Sequence, residues 1–206
     1  MDKNTFKNIL GKYLPENAVE AVYHLIVDHH VFLTITRQRK SKLGDFRPSA
    51  NGKPQRISIN HNLNKYAFLI TFLHELAHQL TWEKYKTKVA PHGIEWKQAF
   101  ADLLHPFVER GSFPDEIAQE ITKHPDKHLY ATLADTKLAR QLKKHDEASG
   151  LVLLESLADN THFMLPDGRK FIKQNKRRKN YQCMHLSSRR LYAFNPLAEV
   201  IPLDDK

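Results

Sequence analysis

Apolar residues follow two different rhythms along this chain, and the change comes near residue 150. Before it the spacing is mostly helical. Val19, Val22, Leu25 and Ile26 recur at three and four residues and predict a helix over residues 16–29 with one buried face. A shorter helix is predicted over residues 4–13. Between residues 64 and 88, Leu69, Phe72, Leu73, Leu76 and Leu80 form an apolar stripe that no Gly or Pro interrupts, and Asn64 stands where an N-cap belongs. Ile94, Trp96, Phe100, Leu103 and Leu104 predict a further helix, ending near Pro106. Residues 115–123 and 127–144 predict two more, the last closing on Lys143-Lys144-His145 as suits a helix C-terminus. Residues 31–36 are β-branched and residues 56–60 alternate, so both read as strands. Residues 44–48 read as a loop leading to Asn51-Gly52, a hairpin signal.

After Gly150 the runs become short and strand-like: 152–157, 161–165, 170–173, 181–186 and 190–194, with Pro166-Asp167-Gly168 as a tight turn between two of them. The pattern predicts an α+β protein in two parts. Residues 1–148 form a helix-rich domain and residues 149–206 a small antiparallel β unit.

One stretch carries chemistry. Residues 74–78 read His-Glu-Leu-Ala-His within the uninterrupted helix. Positions i and i+4 share a helix face, so His74 and His78 can offer two imidazoles to one metal ion. Glu75 beside them can act as general base. The plain alternative is two surface histidines on an ordinary amphipathic helix. Zinc, the usual metal of such sites, takes a third protein ligand and keeps one position open. The downstream candidates are His92, Glu95 and His105. His92 lies between Pro91 and Gly93, in a turn just before a helix. Glu95 would match sites whose third ligand is a glutamate on a second helix. His105, at the predicted helix end, suits a capping or surface role.

These pieces resemble the SprT-like metallopeptidase family: His74-Glu75-Leu76-Ala77-His78, a spacer, then His92-Gly93 followed by Trp96, with Ile57-Ser58-Ile59-Asn60 leading into the helix. The likeness covers roughly residues 15–110. It implies a zincin-like metallopeptidase core with one catalytic zinc held by His74, His78 and His92, and Glu75 as catalytic acid and base. It also implies protein substrates associated with DNA. Many members end in a zinc ribbon with paired cysteines. Here Cys183 is the single cysteine, so a four-thiolate site is impossible. The expectation is a ribbon-like unit that has lost its cysteines and its metal.

Composition adds a partner. The net charge is +9, which favours an anionic partner, nucleic acid foremost. Between Thr161 and Asn195, nine Lys and Arg face Asp167 alone, and Phe163, Phe171, Tyr181, Tyr192 and Phe194 are interleaved with them. The aromatics either stack on bases or form the core of a small sheet. Lys176, Arg177, Arg178 and Lys179, read as a loop, are candidates for contacting a nucleic-acid backbone without sequence specificity. One cysteine, no run of 18 apolar residues and no apolar leader predict a cytoplasmic protein, possible at the nucleoid, without membrane contact. The expected function is a zinc metalloendopeptidase. The rival is a non-enzymatic, transcription-related nucleic-acid-associated protein with a structural or vestigial metal site.

Overall fold

The structure, a computed structural model, describes residues 2–39, 41–50, 52–123 and 135–203. The chain is α+β and divides into two compact units, Met1–Asp146 and Glu147–Lys206. In the first unit α1 (Lys3–Gly11) and α2 (Val19–Asp28) precede β1 (Leu33–Thr36), β2 (Gly44–Arg47) and β3 (Arg56–Asn60). The long α3 (Lys65–Tyr85), α4 (Ile94–Glu109), α5 (Asp115–Thr122) and α6 (Thr136–Lys143) follow. The three strands order β1-β3-β2, with β1 parallel and β2 antiparallel to the central β3. Register puts Leu33, Ile35, Phe46, Ile57 and Ile59 in the hydrophobic core, and Thr34, Asp45, Arg47, Arg56 and Ser58 on the opposite face.

Asn64 caps α3 as its position suggests, its side chain accepting from the Tyr66 and Ala67 amides. The helix itself differs from an amphipathic stripe. Every residue from Ala67 to Leu73 is buried, as are Leu76 and Ala77. A helix apolar on all sides belongs in the centre of a domain, and α3 packs against β2, β3 and α4.

Three other expectations change. Residues 44–48 are not all loop: Gly44–Arg47 is a strand, paired from Gly44↔Ile59 to Arg47↔Arg56. The cause is tertiary. Asn60, 1% exposed, donates to the Arg39 and Lys42 carbonyls at 3.2 and 3.0 Å and accepts from Arg39 Nε at 2.8 Å. That network folds the preceding segment so that it delivers β2 to the sheet. α4 runs on through Pro106 to Glu109. A proline removes one backbone donor, but the helix resumes within the same turn. His105 is therefore inside a helix, 3.1 Å from Glu109, and does not cap one. The predicted helix over 127–144 is seen as Thr136–Lys143, and residues 127–134 lie outside the described residues, as does Asn51 of the hairpin signal. Ala50 and Lys53 exchange backbone hydrogen bonds of 3.2 and 3.0 Å.

The second unit is a six-stranded antiparallel sheet in the order β4-β9-β5-β6-β7-β8. The strands are β4 (Val152–Leu153), β5 (His162–Met164), β6 (Lys170–Arg177), β7 (Asn180–His185), β8 (Leu191–Phe194) and β9 (Glu199–Pro202). Its core is Leu154, Phe163, Phe171, Cys183 and Val200. Phe194 meets Phe163 edge-on at 5.8 Å although β8 and β5 are three strands apart. At about 4.8 Å per strand a flat sheet would hold them roughly 14 Å apart, so this sheet curls over its own core.

Candidate metal centre

Two histidines come from one helix and the third from a turn. His74 and His78 stand one turn apart on α3. His92 arrives in the segment before α4, where Gly93 N–H donates to the Ala90 carbonyl at 2.9 Å. Pro91 takes the second place in this turn and His92 the third, with φ of 57°. That is the place where a type II turn demands positive φ and usually takes glycine. Gly93 is needed for a different reason: a Cβ there would come within 2.9 Å of the Ala90 carbonyl oxygen. The turn is tight, and it brings the His92 side chain to the two histidines of α3.

The three Nε2 atoms converge. His92 Nε2 lies 3.0 Å from His78 Nε2 and 3.2 Å from His74 Nε2, and the three ligand atoms all fall within 4.8 Å of one another. Three nitrogens bound tetrahedrally to zinc at 2.0–2.1 Å stand about 3.3 Å apart, so the donor set fits that ion by geometry. It fits by charge state too. Burial lowers His74 to about 3, with repulsion from His78 and His92 adding to it. Burial lowers His78 to about 4, with His92 adding, and burial also lowers His92. At neutral pH all three are neutral imidazoles, the form that donates a lone pair to a metal.

Glu75 is 8% exposed and lies against the edge strand. Its Oε2 accepts the Phe46 amide at 2.8 Å. Burial pushes its carboxyl up to about 7, an effect the Phe46 hydrogen bond partly offsets. The strand is close because residue 44 is glycine: a Cβ there would sit 2.6 Å from Glu75 Oε1 and from Thr71 Cγ2. Gly44 and the Phe46 amide are therefore part of the site, and the sequence reading missed both. The available signal was a glycine opening a stretch of alternating polar and apolar residues, between two strand-like runs. Trp96, 2% exposed, touches all three imidazoles, 4.6–5.1 Å from each by ring centroids. Among the described residues the cluster holds neither Glu95 nor His105.

In the second unit the basic residues sort differently from their sequence order. Lys176 and Arg177 end β6, and Arg178 and Lys179 make the two-residue turn into β7, since Arg177 pairs with Asn180. The run is thus half strand and half turn, and not a free loop. With Tyr181, Leu191 and Tyr192 the last three line a cleft of about 580 Å³. Phe163 and Phe171 are fully buried, Tyr181 and Phe194 pack against them, and Tyr192, though 40% exposed, meets the Phe171 ring edge-on at 5.6 Å. Lys173 leaves the cationic surface altogether. It is 2% exposed, its ammonium donates to the Leu157 carbonyl, and it lies 4.0 Å from the Tyr181 ring centre and 3.8 Å from Asp159. No helix among the described residues is long and apolar enough to cross a membrane.

A family model described as the SprT-like family matches residues 17–118, the span that runs from just before α2 through α4 to the middle of α5. No curated protein and no solved structure matches the chain.

Proposed function

Residues 17–118 belong to the SprT-like family, and from that premise we propose that the chain is a zinc-dependent metallopeptidase acting on DNA-associated proteins. The observation that carries the reading is the convergence of three neutral imidazoles, with His92 Nε2 3.0 and 3.2 Å from the other two, beside a buried carboxylate on the helix that carries His74 and His78. His74, His78 and His92 would hold the ion. Bound there, zinc supplies Lewis acidity, polarising a carbonyl and lowering the pKa of a water in its open position.

The chain's own residues do the rest. Glu75 Oε2 is engaged by the Phe46 amide, which leaves Oε1 to take a proton and hand it to the leaving amine. A carboxyl raised to about 7 exchanges protons near neutral pH, where a general base works best. β2 is an edge strand, so its outward backbone groups can align an extended peptide beside Glu75. The core reads as zincin-like and the tail as a ribbon-like unit without its thiolates. Lys176, Arg177, Arg178 and Lys179 hold DNA backbone non-specifically and select substrates by location.

The test compares wild type and Glu75→Gln, each assayed for metal content and for cleavage of a DNA-binding protein with and without DNA. The expected result is one zinc per chain in both, and cleavage in wild type alone, faster with DNA. Cleavage retained by Glu75→Gln rejects the assigned base. No zinc in wild type rejects the enzyme.

A further inference from the structure

A histidine that binds a metal through Nε2 ordinarily has its ring direction fixed at the other nitrogen, where Nδ1–H donates to a carboxylate or carbonyl. Here the only hydrogen-bond partners of the three imidazoles among the described residues are one another. What they share besides is a ring. His74 meets Trp96 at 4.7 Å with planes at 63°, and His92 meets it at 4.6 Å with planes at 85°, both edge-to-face. His78 lies tilted at 5.1 Å. The indole is itself clamped, stacked on Phe100 at 5.1 Å with an 11° interplanar angle, and Phe100 also meets His74 edge-on at 5.9 Å.

We infer that Trp96 is the positioning residue of the cluster: its indole ring, in place of hydrogen-bond acceptors, sets the directions of the three imidazoles. The inference rests on the metal-site reading above. An aromatic face is electron-rich and an aromatic edge electron-poor, so edge-to-face contact is directional. Burial of Trp96 keeps water from competing. The indole nitrogen plays no part in this: Trp96 Nε1 is buried with no hydrogen-bond partner. A side chain retained for its N–H would have an acceptor, so the site uses the ring.

The test uses the full chain, stripped of metal and reloaded with cobalt(II), whose absorption bands report the coordination geometry, alongside zinc affinity by chelator competition. Trp96→Phe keeps a ring and loses no hydrogen bond. It is expected to bind both ions within a few-fold of wild type and to keep the cobalt bands. Trp96→Leu is expected to weaken binding by about tenfold to a hundredfold and to shift the bands. Phe100→Leu frees the indole without removing it and should shift the bands in the same direction by less. Circular dichroism confirms that each variant is folded. A folded Trp96→Leu with wild-type affinity and bands overturns the inference. If Trp96→Leu does not fold, unchanged bands in Phe100→Leu overturn it. A Trp96→Phe variant as impaired as Trp96→Leu overturns the claim that the ring alone suffices. A wild-type chain that takes up neither ion overturns the metal-site reading, and this inference with it.

Discussion

Gly44→Ala adds a single methyl group, and it is expected to disable the base while sparing the metal ligands. The new Cβ would lie 2.6 Å from Glu75 Oε1, 2.8 Å from Glu75 Cγ and 2.6 Å from Thr71 Cγ2, about 1 Å inside ordinary van der Waals contact. Thr71 cannot turn aside cheaply, because its hydroxyl donates to the Ala67 carbonyl at 2.7 Å. Either the Glu75 carboxylate or the strand must move. If the strand moves, the Phe46 amide withdraws from Oε2, and if the carboxylate moves the contact is lost as well. Overpacking of this kind costs about 1–3 kcal/mol. A displacement near 1 Å at a reacting group lowers the rate about a hundredfold, equivalent to about 2.7 kcal/mol in the barrier. The assay measures kcat and KM on a protein substrate, zinc stoichiometry, and the thermal midpoint. The expected outcome is a loss in kcat with zinc still at one per chain. Gly11→Ala is the control, since a Cβ there meets only Val19 Cγ2 at 4.0 Å. Wild-type kcat in Gly44→Ala would refute the claim that β2 positions Glu75.

Three further outcomes follow from the same geometry. His92→Gly would remove one of the three proposed zinc ligands, and it also removes a side chain from a backbone held at φ 57°. The metal-free variant is expected to be more stable than metal-free wild type by about 1 kcal/mol, read from urea unfolding. Glu75→Gln keeps an acceptor for the Phe46 amide without a buried charge. Glu75 is raised to about 7 from an ordinary 4.5, so it favours the fold below pH 4.5 relative to higher pH, and that contribution is lost as pH rises through 7. The metal-free variant should therefore match wild type below pH 4.5 and exceed it by about 3 kcal/mol at pH 8, and equal stability at both pH values would contradict the burial argument. Cys183, buried and pushed up to about 11 by that burial, should resist iodoacetamide at pH 8 until denaturant opens the second unit, as mass spectrometry of the alkylated chain would report.

The parts legible in the sequence were those fixed by neighbours in the chain. The span of α3, its Asn64 cap and the shared face of His74 and His78 all follow from local periodicity. So do α5 and the positions of most tail strands. β2 was not legible, because Gly44, Asp45 and Pro48 look like breakers. The strand exists because Asn60 and Arg39 fold the preceding segment and because only glycine lets α3 come so close. β9 was missed as well: its pairing with β5 and β4 is long-range, and Pro202 weakens the local signal. Lys173 reads as a surface cation but lies inside the sheet, since the Leu157 carbonyl, Asp159 and the Tyr181 ring gather around its ammonium. Counting charge along a chain cannot reveal such a case.

The unequal footing of the three histidines has a kinetic side. His74 and His78 are held by a central helix and can depart only if the domain opens. His92 sits on a four-residue turn at the surface, in a backbone conformation its side chain resists. An ion at this centre would come and go on the His92 side, through a state bound by two ligands. The rate of metal exchange would then be set by how fast one turn opens, and could be tuned at Pro91 or Gly93 without altering the helix that carries the chemistry.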